Sequence, residues 1–286
     1  VGTAGAMLLA GKTAVLTGAG RGIGAAAAKL FARHGCNVVV NDLDVSVAQG
    51  VVSEIKAAGG EAIAVGGSVV DPHFPAILMA KSAETYGGID MLVNNAGFLW
   101  DGMLHKMTDA QFDAVVECHG AAPFRMIRAA APYFRDAGKS EIARGLAPRD
   151  RCIVNVSSTS GLHGNVGQAN YSFAKAGVVG LTKTVAKEWG AMGVRCNAVA
   201  FGMIDTRMTR GFSESDAPVD VDGSAVVQGL PDHVADMWNK PELLRTIPLG
   251  RKGDAEEAAG GIFMLCSPWA TYVTGHVLEV TGGAGM

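Results

Sequence analysis

A tyrosine and a lysine four residues apart are the side chains most suited to proton transfer. Tyr171 and Lys175 are about one helical turn apart, so on a helix both project from one face. A lysine ammonium beside a phenol stabilises the phenolate and can lower the pKa of the phenol from about 10 toward neutral. The hydroxyl of Ser158, thirteen residues earlier, could hydrogen-bond a carbonyl oxygen beside that phenol. Taken alone, this tyrosine–lysine spacing is common on solvated helix faces, so its chemical meaning depends on what accompanies it.

A glycine-rich segment near the start of the chain could hold a phosphate. It follows a predicted strand, leads into a predicted helix, and contains Gly18, Gly20, Arg21, Gly22, Ile23 and Gly24. Glycines let the backbone turn tightly and approach a pyrophosphate at the positive N-terminus of the helix. The chain holds 39 glycines, so an ordinary packed turn is the alternative. The strand–turn–helix context favours a dinucleotide site.

An aspartate after the second predicted strand bears on the choice of dinucleotide. Asp42 lies 18 residues after Gly24, where a carboxylate can accept hydrogen bonds from ribose hydroxyls and repel a 2′-phosphate. Asp42 and Asp44 both precede a helix, so Asp42 could instead be its N-cap. Arg21 could attract a 2′-phosphate, but a directly placed carboxylate should outweigh a mobile arginine. NAD is therefore predicted in preference to NADP.

Short β-branched runs alternate with longer helical patterns along the chain. Strands are predicted at 13–17, 37–41, 62–65, 90–94, 152–156, 195–200 and 277–280, and helices at 23–34, 45–58, 75–86, 109–134 and 170–191. Continuous apolar strands separated by helices indicate a parallel sheet covered on both faces. The prediction is one α/β domain over residues 1–286, with a doubly wound, Rossmann-like, mostly parallel sheet of about seven strands.

Two segments do not follow this alternation. Residues 138–150 are polar and are predicted to be a surface insertion. Residues 206–248 contain Pro218, Pro231 and Pro241, end at Pro248, and are predicted to be a substrate lid. Its 213–234 stretch has no Lys or Arg and would repel anionic carriers, because its acids are Glu214, Asp216, Asp220, Asp222 and Asp232. Apolar side chains in and near the lid could form a pocket wall or simply pack together: Met203, Met208, Phe212, Met237 and Trp238.

Composition excludes several other classes of protein. The chain is 49% hydrophobic and 18% charged, which argues against disorder. A net charge of −3 argues against nucleic-acid and anionic-membrane partners, and no apolar run reaches the roughly 20 residues of a membrane helix. The five scattered cysteines are predicted to be core residues, and no histidine or cysteine spacing indicates a metal site. No secretory signal is recognised, so a cytoplasmic location is expected.

Together these motifs resemble the short-chain dehydrogenase/reductase family over about residues 9–283. The segment from Asn94 to Gly97, Asn197 and the closing glycines near Gly283 also fit this family. The resemblance implies an NAD(P)-dependent oxidoreductase that interconverts a secondary alcohol and a ketone. It makes Tyr171 the general acid/base.

The resemblance also implies roles for neighbouring residues. Ser158 positions the substrate oxygen, and Lys175 holds the nicotinamide ribose while lowering the pKa of Tyr171. Further cofactor contacts are implied for Asn95, Ala96, Gly97, Gly202, Ile204 and Thr206.

Four positions depart from the family pattern. His119 replaces an asparagine that anchors a water in the proton relay, and a histidine can relay protons too. A similar histidine, with a comparable Asn-Asp-Leu, occurs in the 3-hydroxyacyl-CoA dehydrogenase unit of peroxisomal multifunctional enzymes. Ser68 replaces an aspartate at the adenine, and Phe201 replaces a proline before Gly202. Met192 stands where 3-oxoacyl-carrier-protein reductases often carry a basic docking residue, which argues against a carrier-protein substrate.

Several functional readings remain open from the sequence. A 3-oxoacyl or 3-hydroxyacyl thioester is the first expected substrate, and a hydroxysteroid or other apolar alcohol is the alternative. A dinucleotide-sensing module without turnover and a structural domain without a ligand are the non-enzymatic readings. The resemblance implies a homotetramer that pairs through the helices at 109–134 and 170–191 and through the last strand. The apolar residues on several sides of the second helix also favour pairing.

Overall fold

A parallel sheet of seven strands forms the centre of the molecule. The computed structural model describes residues 7–214, 218–221 and 223–285. The strands are β1 (Thr13–Leu16), β2 (Asn37–Asp42), β3 (Glu61–Gly66), β4 (Met91–Asn94), β5 (Arg151–Ser158), β6 (Val194–Phe201), β7 (Val219–Val221), β8 (Ser224–Val226) and β9 (Val277–Val280). The central sheet has the order β3-β2-β1-β4-β5-β6-β9 with every pair parallel, while β7 and β8 form a separate antiparallel pair. The predicted doubly wound α/β fold is confirmed.

Helices cover both faces of this sheet. They are α1 (Gly22–Arg33), α2 (Val45–Ala57), α3 (Phe74–Tyr86), α4 (Asp109–Val116), α5 (Ala122–Ala130), α6 (Ala137–Ala143), α7 (Thr159–His163), α8 (Ala169–Trp189), α9 (Asp232–Trp238), α10 (Pro241–Leu244) and α11 (Ala255–Cys266). Successive strand residues point to opposite faces, so Leu16 and Val154 enter one core while Val15 and Ile153 enter the other. Both faces are therefore dry, as the continuous apolar strands predicted.

The helix α11 is absent from the sequence-based prediction, although a local signal marks its start. Asp254 is its N-cap and accepts a hydrogen bond from the backbone N–H of Glu257, while the Glu257 side chain accepts one from the N–H of Asp254. This reciprocal arrangement is a capping box, recognisable in sequence as an acid followed three residues later by glutamate. The helix packs against α1 on one face of the sheet.

The long helix predicted at 109–134 is interrupted and runs further than expected. A π-helical turn at Glu117–Ala121 separates α4 from α5, and a second one at Pro132–Asp136 separates α5 from α6. Pro123 has no N–H, so it cannot donate the usual helical hydrogen bond to the carbonyl of His119. The missing helical hydrogen bond therefore lies at His119, which the sequence indicated as part of the proton relay.

The segment 138–150 is not simply a surface insertion, because its first residues form α6 and part of it is buried. Gly138 packs against the backbone of Met192. The carboxylate of Glu141 accepts two hydrogen bonds from the Arg151 guanidinium, at 2.7 and 3.0 Å, and one from the Arg149 N–H at 2.8 Å. The polar segment 138–150 therefore contains one member of a buried ion pair, which joins α6 to the start of β5.

The region 206–248 contains short elements rather than an irregular loop. It includes the β7–β8 hairpin, α9, α10 and two short 3₁₀ turns at Arg207–Thr209 and Phe212–Glu214. Asp216 and Asp222, two of the acids noted in the sequence, lie outside the described residues. No helix in the described part of the chain is both long and apolar enough to cross a membrane.

The buried ion pair gives a test of how segment 138–150 contributes to stability. Arg151 and Arg149 hold the pKa of Glu141 near 2, below its usual 4.5. The pair therefore stabilises the fold fully above pH 4.5, and this contribution is lost as the pH falls toward 2. Glu141→Gln should lower the free energy of unfolding at pH 7 by about 3 kcal/mol, because it leaves Arg151 buried without its partner.

Denaturant unfolding at pH 7 and pH 4 measures this effect. The matched control is Glu54→Gln, since Glu54 pairs with Lys29 on the surface, with 62% of its side chain exposed. That change should cost at most about 1 kcal/mol. Equal stabilities for the two variants would show that the Glu141 pair does not support the fold.

Candidate active site

The residues singled out in the sequence meet in one large cavity at the carboxyl ends of the strands. The cavity has a volume of about 1930 Å³ and is lined by the glycine-rich turn, the loops after β4, β5 and β6, and part of the 206–248 region. Open parallel sheets bind ligands at this edge, where neighbouring strands lead away in opposite directions. The described residues include no cluster of His, Cys, Asp or Glu that could hold a metal ion.

The glycine-rich turn leaves space for a phosphate-bearing ligand. Gly18 has a φ of 58°, a conformation that favours glycine, and lies against Ala96. A side chain at Gly24 would overlap the Gly18 carbonyl oxygen and the Asn95 amide. The helix α1 begins at Gly22, so its N-terminal N–H groups lie at the cavity. The turn therefore fits the pyrophosphate of a dinucleotide.

Asp42 stands at the cavity and is not the cap of the following helix. Its Oδ2 accepts a hydrogen bond from the Gly20 N–H at 3.0 Å, and its Oδ1 accepts one from the Asp44 N–H at 3.3 Å. Asp44 caps α2 instead, accepting from the Ser46 N–H at 2.9 Å. The alternative left open by the sequence is thus resolved, because Asp44 caps the helix and Asp42 lines the cavity beside the glycine-rich turn.

Asn95 holds the glycine-rich turn in place. Its Nδ2 donates to the carbonyl oxygens of Thr17 and Gly18 at 3.0 and 2.9 Å. The Thr17 hydroxyl in turn accepts from the N–H groups of Asn95 and Ala96. Asn95 thus joins the ends of β1 and β4, and Ala96 and Gly97 follow it along the cavity wall.

The proposed acid–base group lies at the first turn of α8. The Tyr171 ring is 5.0 Å from the His119 ring, centre to centre, in an edge-on arrangement. Burial raises the pKa of Tyr171 to about 12; a hydrogen bond with Ser158 opposes this increase, and the charge of Asp101 adds to it. The tyrosine is therefore protonated at neutral pH.

Lys175 lies below the tyrosine ring but does not lower the phenol's pKa in this structure. Its Nζ donates to the Val156 carbonyl oxygen at 2.6 Å and lies 5.6 Å from the centre of the Tyr171 ring. Burial lowers the pKa of Lys175 to about 8. The expected depression of the Tyr171 pKa by this ammonium is not seen, because burial of the phenol is the larger effect.

His119 occupies the π-helical turn between α4 and α5 and is fully enclosed. Its Nε2 lies 2.7 Å from the Phe98 carbonyl oxygen, while its Nδ1 is buried and has no hydrogen-bond partner among the described residues. Burial, followed by the nearby Lys175 charge, lowers the pKa of the imidazole well below 6.5, so the ring is neutral. A side chain at Gly97 would overlap this ring, so residue 97 must stay small.

The loop after β6 brings the remaining predicted residues to the cavity. Gly202, Ile204 and Thr206 all line it, and Ser68 lines it at the opposite end. Phe201 is buried at the end of β6, where the following Gly202 N–H donates to the Val280 carbonyl. The apolar wall expected from the sequence includes Met203, Met208, Met237 and Trp238 at the cavity, whereas Phe212 does not line it.

Four polar residues that support the site were not found from the sequence; Asp101 and Gln168 line the cavity, and Asn170 and Gln228 are buried behind it. Gln228, fully buried, accepts from the Leu99 N–H at 3.1 Å and ties the 206–248 region to the loop after β4. Asn170 donates to the carbonyl oxygens of Trp100 and Gln111 at 3.0 and 3.1 Å. Asp101 accepts from Gln168 at 2.9 Å. Asn170 and Gln168 lie one and three residues before Tyr171 at the start of α8, and these polar residues at a helix start were the available signal; Asp101 and Gln228 had none.

Comparison with known proteins agrees with this geometry. A family model described as "Enoyl-(Acyl carrier protein) reductase" matches residues 18–285. The chain is 36% identical over 277 residues to 3-oxoacyl-[acyl-carrier-protein] reductase FabG of Thermotoga maritima, which covers 97% of this chain and 99% of that protein. A 3-oxoacyl-[acyl-carrier-protein] reductase of Synechocystis sp. is 38% identical over 280 residues, or 97% and 98% of the two chains.

A solved structure gives the same result for the fold. The crystal structure of a dehydrogenase/reductase from Sinorhizobium meliloti 1021 superposes with a TM-score of 0.79 at 32% identity, covering 98% of both chains. The chain thus has this fold, the glycine-rich turn and the Ser158–Tyr171–Lys175 site, and it is similar to named reductases over nearly its whole length. The chain belongs to the short-chain dehydrogenase/reductase family and is an oxidoreductase that acts on alcohol and ketone groups with a nicotinamide dinucleotide.

Proposed function

We propose that this enzyme interconverts a 3-oxoacyl thioester and the corresponding 3-hydroxyacyl thioester, using NAD in preference to NADP. One observation carries the proposal: Ser158, Tyr171 and Lys175 meet in the cavity that also contains the glycine-rich turn and Asp42. The two named relatives act on 3-oxoacyl groups, and the apolar wall of Met203, Met208, Met237 and Trp238 suits an acyl chain.

Each residue of the site has a separate role in ketone reduction. Tyr171 is protonated at neutral pH and donates its proton to the substrate oxygen, which the Ser158 hydroxyl also hydrogen-bonds. A nicotinamide ring bound in the cavity supplies or accepts the hydride. Lys175 lies where it can hold the ribose and supply positive charge near the phenolate that forms. For alcohol oxidation the same groups act in reverse, with Tyr171 as the base.

The region around α6 bears on whether coenzyme A or a carrier protein holds the acyl group of the substrate. Met192, which lies against Gly138 near the start of that helix, stands where 3-oxoacyl-carrier-protein reductases often carry a basic docking residue. We therefore favour a coenzyme A thioester over a carrier-protein thioester. The second candidate substrate is a hydroxysteroid or similar apolar alcohol, which the methionines and Trp238 of the cavity wall would also accommodate.

A substrate panel distinguishes these candidates. Acetoacetyl-CoA, the same acyl group on an acyl carrier protein, and a 3-oxosteroid are each assayed with NADH and NADPH. The proposal expects the highest kcat/KM for the CoA thioester with NADH. Turnover of the steroid alone would support the alternative, and dinucleotide binding without any turnover would support a sensing module.

Assembly is a further part of the proposal. Phe173 on α8 is 61% exposed and contacts Phe112 on α4, and Phe124 on α5 is also exposed. Trp269 and Tyr272, which precede β9, are exposed as well. Two apolar patches on different sides suit two self-complementary contacts, which is the arrangement of a homotetramer. Light scattering on the purified chain measures this directly.

The first prediction concerns proton transfer by Tyr171. Tyr171→Phe keeps the aromatic ring against His119 but removes the transferable proton. Turnover should fall by roughly 10² to 10⁴, whereas the Kd for NADH, measured by fluorescence titration, should stay within a few-fold of the parent value. Activity close to that of the parent enzyme would remove Tyr171 from the mechanism.

The second prediction concerns the choice of cofactor by Asp42. Asp42→Asn keeps an oxygen that can accept from the Gly20 N–H but removes the negative charge that repels a 2′-phosphate. The ratio of kcat/KM for NADPH to that for NADH should rise roughly tenfold or more. Asp44→Asn is the matched control, because asparagine also caps helices, and it should change this ratio much less.

A different result for the unaltered enzyme would contradict the assignment. If its kcat/KM for NADPH equals or exceeds that for NADH, Asp42 does not exclude the 2′-phosphate.

The third prediction concerns His119 and the proton relay. Both asparagine and histidine can hydrogen-bond the Phe98 backbone, whereas leucine cannot. His119→Asn should therefore retain most of the turnover, and His119→Leu should lose about tenfold more. Thermal unfolding of both variants controls for packing. Equal turnover in the two variants would mean that His119 only fills space.

A further inference from the structure

Asp101 is a partly enclosed carboxyl group near Tyr171 that neither the motifs nor the family resemblance assigned. Its Oδ2 accepts a hydrogen bond from Gln168 Nε2 at 2.9 Å. Its Oδ1 is shielded from solvent and has no hydrogen-bond partner within the described part of the chain. A carboxylate oxygen in that environment is poorly solvated, so the charged form of Asp101 is costly to maintain.

Gln168 connects this carboxyl to both predicted catalytic residues. Its Oε1 accepts from the Ser160 hydroxyl at 2.8 Å, and the Ser160 N–H donates to the Ser158 hydroxyl oxygen at 3.2 Å. Gln168 directly precedes α8, which carries Tyr171 in its first turn. A hydrogen bond from Gln168 thus fixes Asp101 relative to the segments that carry Ser158 and Tyr171.

Backbone contacts hold the same two segments together. The Gly102 N–H donates to the Gly167 carbonyl oxygen at 2.8 Å, and the Asn170 side chain donates to the Trp100 carbonyl oxygen. Asp101 lies between these two contacts. The backbone of Asp101 is therefore held on either side, and the hydrogen bond from Gln168 orients its carboxyl group.

The charge of Asp101 changes within the working pH range. Burial raises its pKa to about 6, while the hydrogen bond from Gln168 opposes the increase. Its negative charge in turn adds to the effect of burial in raising the pKa of Tyr171. Other ionisable groups that line the cavity away from the glycine-rich turn are Lys175 on α8, Glu117 and His119 after α4, Asp113 on α4, His163 on α7, and Arg207, Asp220 and His233 in the 206–248 region.

We propose that Asp101 is a positioning residue of the reaction, which aligns Ser158 and Tyr171 through Gln168, and that its negative charge adds to burial in favouring the protonated form of Tyr171 that reduces a ketone. This inference rests on the proposed function. At neutral pH the carboxylate extends the pH range over which Tyr171 can donate a proton. It also shifts alcohol oxidation, which needs the phenolate, to higher pH.

The fourth prediction separates the charge of Asp101 from its hydrogen bond. Asp101→Asn keeps an oxygen that accepts from Gln168 but has no charge. The midpoint of the rise in alcohol oxidation with pH should move down by about one pH unit, because the phenolate forms more easily. Asp113→Asn removes a charge from an exposed residue at the same cavity and should leave the midpoint unchanged.

A second variant tests the alignment. Gln168→Ala breaks the link to Ser160 and also removes the hydrogen bond that opposes the rise in the Asp101 pKa, so the comparison is made at alkaline pH, where the Asp101 carboxylate stays charged; there kcat for ketone reduction should fall about tenfold. An unchanged midpoint in Asp101→Asn would overturn the electrostatic role. A parental kcat in Gln168→Ala would overturn the positioning role.

A measurement without substrate keeps this inference distinguishable from the proposed function. The ¹³C carboxyl resonance of Asp101, identified by its absence in Asp101→Asn, should titrate near pH 6 in the intact protein. A midpoint near pH 4 would overturn the electrostatic role even in an active enzyme. Absence of turnover on every substrate in the panel would overturn the proposed function, while the titration would still decide the charge state of Asp101.

Discussion

The hydrogen bonds between Asn95 and the end of β1 determine the position of almost every other group at the site. They fix the loop after β4 against the glycine-rich turn. From that fixed point the loop contacts His119 through Phe98, the 206–248 region through Leu99, and the start of α8 through residues 100–102. The loop that leads from β4 to α4 therefore aligns the glycine-rich turn with Tyr171, because neighbouring parallel strands end at the same edge of the sheet.

A second polar link continues this alignment through the interior of the sheet. Asn94 donates to Asn155 on β5 at 2.8 Å, and Asn155 donates to Thr182 on α8 at 2.9 Å. Each of these side chains is buried, so each requires a partner, and pairing them fixes the rotation of α8. Tyr171 and Lys175 consequently face the cavity for reasons of core hydrogen bonding as well as helical spacing.

Burial governs the charges at the site more than the contacts between charged groups do. It keeps the His119 imidazole neutral, lowers the pKa of Lys175 to about 8 and raises that of Tyr171 to about 12. These shifts favour proton donation by Tyr171 over proton removal. From the spacing in the sequence, Lys175 was expected to lower the pKa of the Tyr171 phenol. Spacing shows which side chains are neighbours on a helix, but it does not show how far burial excludes water from them.

Sequence reasoning succeeded where one local rule decides the outcome. Continuous apolar strands identified the sheet, and glycines between a strand and a helix identified the phosphate turn. It failed where a polar residue is explained only by a distant partner: Glu141 reads as a surface acid but faces Arg151, and Asp101 reads as a loop residue but faces Gln168, 67 positions away. The family resemblance indicated Ser158, Tyr171 and Lys175, and all three line the cavity. Asp101 and Gln168 emerge only when the folded chain brings two loops together, because hydrogen bonding across such distances leaves no periodic trace in the sequence.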